Sequence, residues 1–551
     1  MLRELSPGRR GLMAVAALAA ASHATALGGG YVWLDHAHLR EGRALAAPSG
    51  WLGLFTRGFA DTSFYRPLMA LSLSIDAAVS KTPGFFHAVT LGWHALASVM
   101  TTVAARALGL SPRAALAAGL LFAVHPTTSL VASAIAFRSE AMIAVFLLAL
   151  VAAHQAQKPA LAAAALFAGA LTKETAWLLG PLFVLALSAE RRREGGSPAH
   201  GGAALHAGPR PQASSADGAT RLRLLAAEGA AFAAATGLRL LYAPRFRAQH
   251  PALPLDESVG TRLAALGKSA LALVVPLDQS ICDAFRITRT ASLSALFGAA
   301  VLGGVTLLAS RRRGVAWLFA LSLLPSLQLV PIMRWWSPHY LYVPLAFGAM
   351  LLAHAADRHG RRLWALVLVL GVPFTALSLR EGRRYASDER LWAPEVSREP
   401  ACREGQFFLG EVARDARDWE AAASRYERAA APDADHLSYA DELAALQNLG
   451  AVRFAQERWA DARAAWTSAL DRSGDDREKR QITHNLATVA LRSGDPAEAA
   501  RLLEPETSRK DALPESLLIR ARALHDLGRE DEAVELVKRL QGMAQKRARA
   551  R

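Results

Sequence analysis

The apolar residues of this chain come in long uncharged runs as far as about residue 380, and there the runs stop. Each run covers roughly 17–22 residues, the length that crosses the hydrocarbon core of a bilayer as a helix. A backbone in lipid must satisfy its own hydrogen bonds, so the first two thirds of such a chain are confined to helices. The chain has 551 residues and a formal charge of +15. In a soluble protein that excess would point to nucleic acid. Here it sits in short basic clusters between apolar runs, which orients a membrane protein and removes nucleic acid as a partner. Cys282 and Cys402 form no metal or redox pattern.

Residues 11–28 follow Arg3, Arg9 and Arg10, a signal-like start in which Ala24-Thr25-Ala26 resembles a cleavage site. Cleaved or retained, this start puts the next loop outside the cytoplasm. Further runs lie near 84–105, 114–130, 138–155, 159–172, 174–189, 223–243, 291–310, 314–333, 340–356 and 363–380. With the N-terminus inside, one face of the membrane receives Arg106, Arg113, Lys158, Arg191 to Arg193, Arg311 to Arg313, Arg358, Arg361 and Arg362. That is the distribution the positive-inside rule asks for. Residues 264–276 are apolar but short and contain Lys268. A stretch of that length is expected to lie on or dip into the outer face, leaving about eleven spans. Residues 190–222, rich in Gly, Ala, Ser, Pro and His, are expected to form a disordered cytoplasmic loop. The expected organisation is all-α: a polytopic membrane domain over 1–384, with a first outer loop at 30–66, and a helical-repeat domain over 385–551.

The repeats carry their own signature. Gly410 is followed at offsets of 12, 4 and 3 by Ala422, Tyr426 and Ala429. Gly450 is followed at the same offsets by Ala462, Trp466 and Ala469. Ala487 with Ala499 and Leu503, and Ala521 with Ala533 and Val537, continue the series. The repeat starts lie 34–40 residues apart. This resembles the tetratricopeptide repeat, whose small residues let two antiparallel helices pack closely and stack into a solenoid with a concave face.

The chemistry-bearing residues gather in the outer turns. Asp35 follows the first span, beside Trp33, His36 and His38, and the loop ends in Tyr65-Arg66-Pro67. A solvated loop acid or helix cap is the bland alternative for Asp35. His125-Pro126 interrupts an apolar run, so the helix should end or kink there. Arg138 and Glu140 open the next helix, where a snorkelling ion pair competes with a functional role. Lys173 and Glu174 separate two apolar runs, and Arg239 lies near the outer end of another. Arg334, His339, Tyr340 and Tyr342 form a late aromatic and basic stretch. Few acids among many cations at one membrane face suit a lipid-linked phosphate donor. The cations would hold phosphate. A carboxylate would take the proton of the attacking hydroxyl. Asp35, His36, His38 and Glu140 have the chemistry to ligate a divalent metal, but their spacing is no metal signature, and no cofactor is specified.

The order WLDH, FYRPL, HP followed by FRSE, TKETA and YLYVP, and then the repeats, resembles the transmembrane and tetratricopeptide-repeat O-mannosyltransferases of the GT-C superfamily. The resemblance covers nearly the whole chain. It implies a GT-C-type helical domain and a polyprenyl-phosphate-linked sugar donor. It also implies an acceptor protein or glycan, and the first-loop acid Asp35 as catalytic base. Donor-phosphate contacts then fall to Arg66, His125, Arg138, Glu140, Lys173, Arg239 and His339. Three positions depart from the family pattern: His36 stands where a second acid is common, Leu130 where an acid follows the HP motif, and Pro338-His339 in place of Glu-Arg. The expected product is a multi-pass bacterial inner-membrane enzyme with periplasmic repeats that bind the acceptor or a protein partner. A non-enzymatic scaffold for extracytoplasmic partners is the alternative. A transporter would show pseudo-symmetry and mid-membrane polar residues, and neither is visible in the sequence.

Overall fold

The computed structural model describes residues 8–196, 215–243, 252–311, 314–329, 332 and 334–550. The chain divides into two compact units, Met1–Leu391 and Trp392–Arg551. Among the described residues the α-helices of the first unit are α1 (Arg9–Ser22), α2 (Pro67–Val79), α3 (Pro83–Ala107), α4 (Pro112–Val124), α5 (Ser129–Ser133), α6 (Arg138–Gln155), α7 (Pro159–Ala170), α8 (Thr175–Gly196), α9 (Ser215–Tyr242), α10 (Leu255–Val274), α11 (Leu293–Arg311), α12 (Val315–Ser322), α13 (Tyr342–Asp357) and α14 (Arg361–Gly382). Helix starts are written in the sequence. Pro67, Pro83, Pro112 and Pro159 each occupy the first position of a helix, where the missing N–H is no loss and the fixed φ suits the turn. Ser111 caps α4 by accepting the Ala114 N–H at 3.1 Å.

Among the described residues six helices are long and apolar enough to cross a membrane: Pro83–Ala107, Ile135–Gln155, Gly218–Tyr242, Leu293–Ser310, Pro338–Asp357 and Arg362–Ala386. Pro112–Val124 and Pro126–Ser133 add a seventh if the pair, bent by 57° at His125-Pro126, is one span. The eleven spans expected from composition add α1, α7, α8 and α12 to these. Two expectations change. Most of the 264–276 stretch belongs to a longer helix, α10, of 20 residues that ends at Val274. Asp256 and Glu257 in its first turn face the positive end of the helix dipole and favour this polar N-terminal extension. The loop expected at 190–222 is helical at both ends, because α8 runs on to Gly196 and α9 begins at Ser215. Its centre, 197–214, lies outside the described residues.

The first unit packs through small side chains. Ala97, Ala104, Ala105, Ala114, Ala115, Ala117 and Ala118 are buried where α3 meets α4. Small residues bring helices close when lipid supplies no hydrophobic drive for their association. Gly119 marks the closest approach, since a Cβ there would collide with the Thr102 hydroxyl and press on the Ser98 carbonyl.

α15 (Asp388–Arg398) runs across the division into the second unit. Four helical hairpins follow: α16 (Arg403–Asp415) with α17 (Trp419–Ala430), α18 (Glu442–Ala455) with α19 (Trp459–Arg472), α20 (Asp476–Arg492) with α21 (Pro496–Ser508), and α22 (Pro514–Asp526) with α23 (Glu530–Ala550). Each hairpin packs on the next in the series. The offsets read from the sequence are the buried seam. A Cβ at Gly410 would stand 2.8 Å from the Tyr426 ring, and one at Gly450 would stand 2.5 Å from Trp466. Arg417, Glu457, Gly494 and Gly528 turn each hairpin at positive φ, 61°, 59°, 85° and 73°.

Candidate active site

Asp35 stands at the start of the first loop, where the backbone turns sharply. Trp33 has a φ of 58°, a left-handed conformation that is uncommon for a bulky side chain. The turn sends the Asp35 side chain inward, and the residue is 0% exposed. Its Oδ1 accepts the Ala136 N–H at 2.8 Å, and its Oδ2 accepts the Val32 N–H at 3.4 Å. Burial pushes its pKa up to about 7, against the pull of those two N–H groups and of His36. A carboxylate poised there exchanges protons at neutral pH, which is what a general base needs.

The segment that meets Asp35 also carries the next acid. The Phe137 ring lies 4.8 Å from both the Trp33 and the His339 rings. Glu140 follows in the first turn of α6. Its Oε1 is 3.5 Å from His339 Nε2 and is ion-paired with Lys173. Burial lowers the Lys173 pKa, and the Glu140 charge opposes that shift. Glu174, next in the chain, accepts the Tyr65 N–H at 3.1 Å and Arg66 Nε at 2.9 Å, and stands 3.9 Å from Arg239 Nη1. Glu174 is thus the hub that joins the end of the first loop to α8 and α9.

The cations outnumber the acids they touch. Arg66 lies over the Phe64 ring at 4.2 Å, and Arg334 over the Trp33 ring at 4.9 Å. Burial, followed by the charges of Arg66, Arg43 and Arg334, pulls His38 down to about 4, so its imidazole is neutral at pH 7. Arg43, Arg57 and Arg66 lie together beside this cluster, around Phe59. Guanidinium groups gathered in this way suit a phosphate or another anion.

Of the residues singled out in the sequence, the structure gathers Asp35, Arg66, Glu140, Lys173, Arg239 and His339 by these contacts. It sends two elsewhere. Arg138 is fully buried, paired with Asp76 at 2.5 Å and bonded to Thr90 Oγ1, Ser72 Oγ and the Phe86 carbonyl at 3.0, 3.0 and 2.8 Å. Its guanidinium is committed to the helix framework. His125 bonds the Leu273 carbonyl at 3.1 Å and accepts the Thr127 N–H at 3.3 Å, which ties the bend to α10. Arg43 and Asp388 are the participants that sequence reasoning missed, because neither lies in a recognisable motif. Among the described residues no group of three or more His, Cys, Asp or Glu is placed to hold a metal ion.

Residues 441–504 and 514–539 match tetratricopeptide-repeat families. The C-terminal unit carries tetratricopeptide repeats. No curated protein matches the chain as a whole. The tetratricopeptide repeats are laced by ion pairs. Glu411 accepts Tyr426 Oη at 2.5 Å and Asn448 Nδ2 at 2.7 Å, and Arg453 joins Glu420 at 3.1 Å and Glu427 at 2.6 Å. Asp418, Asp441, Asp475 and Asp495 each cap a repeat helix by accepting a backbone N–H. Repeats of this kind serve protein–protein recognition through an extended surface.

Proposed function

We propose that the chain is a membrane glycosyltransferase of the GT-C type. It moves a sugar, mannose by the family resemblance, from a polyprenyl-phosphate donor to an extracytoplasmic protein or glycan acceptor. Its tetratricopeptide repeats bind the acceptor or a partner. The observation that carries this reading is the continuous contact from the buried Asp35, through Phe137 and His339, to the Glu140–Lys173 pair. Lys173, Arg66 and Arg334 supply positive charge for the donor phosphate. Asp35 removes the proton of the acceptor hydroxyl as that oxygen attacks the anomeric carbon and the lipid phosphate leaves. Because Asp35 is fully enclosed, the first loop must open for the acceptor to reach it.

The test is transfer from a synthetic polyprenyl-phosphate mannose to a Ser/Thr peptide by the full chain in nanodiscs. Asp35→Asn keeps the shape and removes the basicity, so it should fold, bind donor and lose transfer by at least about 10²-fold. Unchanged turnover in Asp35→Asn, with loss in Glu140→Gln, would move the base to Glu140.

The scaffold reading keeps one observation in its favour. Both Asp35 oxygens accept backbone N–H groups, as a purely structural acid would. In that case no donor lipid is turned over by the wild-type chain, and Asp35→Asn lowers thermal stability alone.

A further inference from the structure

The backbone around Asp35 is held from an unexpected direction. Residues 30–36 lie against residues 385–388, some 350 positions later in the chain. Gly30 N donates to the Tyr385 carbonyl at 3.1 Å, and a Cβ on Gly30 would stand 2.8 Å from the Ala386 carbonyl oxygen. Asp388 then reaches into the loop with both oxygens. Oδ1 accepts the Trp33 N–H at 2.7 Å, and Oδ2 is 2.5 Å from His36 Nε2. Asp388 opens α15 but does not cap it. Ser387 Oγ takes the Arg390 N–H at 3.3 Å, which leaves the Asp388 carboxylate free to turn toward the loop. The Asp388 side chain is only 11% exposed, so water screens these contacts poorly.

We propose that Asp388 is the positioning residue of the Asp35 loop: by taking the Trp33 amide and the His36 imidazole together, it holds the turn that aims the Asp35 carboxylate inward. A left-handed tryptophan is strained relative to ordinary backbone, because its Cβ crowds the following carbonyl oxygen. Strain of this kind persists only where the surroundings over-determine it, and it clusters at working sites. Two bonds from one buried carboxylate, on either side of Asp35 in sequence, supply that over-determination. The charged and titratable groups facing Asp35 are His36 and Asp388, with Arg138 and Tyr31 in electrostatic reach. The His36 pKa is raised, first by its bond to Asp388 and against its own burial. Asp388 therefore favours the charged form of the imidazole beside Asp35, while its own carboxylate pushes the Asp35 pKa the other way. Asp388 touches no reacting atom, so its influence on chemistry is indirect.

The catalytic part of this proposal rests on the transferase reading. The structural part does not, and the experiment separates them. Full-length wild type, Asp388→Asn and His36→Gln are compared in nanodiscs. Hydrogen exchange of the peptide spanning residues 30–40 reads the turn directly. Asp388→Asn should speed exchange there at least tenfold while leaving the repeat helices unchanged. Transfer is measured across pH in the same samples. Asp388→Asn should lower kcat at least tenfold with the donor KM unchanged. The rising limb of its pH profile should move to higher pH, because His36 lowers the Asp35 pKa more than the Asp388 carboxylate raises it, and the variant weakens both influences. His36→Gln should move the limb the same way with a smaller loss in kcat. Unchanged exchange in Asp388→Asn overturns the proposal. Faster exchange with an unchanged kcat and pH limb reduces Asp388 to a packing residue and overturns it equally. If wild type transfers no sugar at all, the transferase reading fails, and the exchange result alone decides whether Asp388 holds the loop.

Discussion

Arg138 and Asp76 meet at 2.5 Å with side chains 0% and 6% exposed, so an arginine at the head of α6 is locked to an acid in α2. The pair is what an apolar helix framework requires if it is to hold any buried charge. Removing one partner strands the other.

Arg138→Ala should therefore cost about 3–5 kcal/mol, the penalty for leaving a buried charge alone. Thermal unfolding in detergent measures it. The companion variant Arg138→Met/Asp76→Leu should recover most of the loss. A stable Arg138→Ala with a raised donor KM would return Arg138 to the phosphate site.

Activity should depend on pH through Asp35. Its folded pKa lies near 7, so it is protonated and inert as a base below that value. kcat should rise roughly tenfold per pH unit below about 7 and level off above it. Stability runs the opposite way. A carboxyl whose folded pKa is raised stabilises the fold while it is protonated. That contribution is complete below its unfolded value of about 3.9 and is lost as pH rises through about 7. The stability gap between Asp35→Asn and wild type should thus widen in favour of the variant from pH 5 to pH 8. Parallel stability curves would show that Asp35 titrates normally.

Lys173→Ala should lower kcat/KM for the lipid donor by about 10–10²-fold, the equivalent of a charge-assisted contact. Arg239→Ala should change it by about fivefold at most, because that side chain is partly solvated and stands 3.9 Å from Glu174. Steady-state kinetics with varied donor separates them. Equal and small effects in both variants would take Lys173 out of the site.

If the positive-inside rule governs Arg106, Arg113, Arg191 to Arg193, Arg358, Arg361 and Arg362, the repeats lie outside the cytoplasm. A reporter active only outside, fused after Arg551, should be active. Activity of a cytoplasmic reporter at the same junction would show the span number to be off by one.

The sequence was most legible where one residue type repeats at a fixed interval. The positions Ala422, Ala462, Ala499 and Ala533 were recognisable because only a small side chain fits where two repeat helices cross, and all four are buried. Pairings across long separations were not legible. Nothing near Arg138 announces Asp76, which lies far earlier in the chain, in α2. Nothing near Asp388 announces Trp33, because the bond is to a backbone amide, which any residue carries. Composition counts more spans than helix length supports, in part because α7 and α12, though apolar, are shorter than a bilayer is thick.

The hairpins of the C-terminal unit touch in series, each resting on the one before. A structure built that way has no single keystone. Shortening it from the C-terminus should peel away one hairpin at a time, with a graded fall in melting temperature, where a globular domain cut to the same extent would collapse at once. The length of the stacked surface is therefore adjustable: a hairpin can be removed or appended at α22 and α23 while the seam around Gly410 and Tyr426 stays intact.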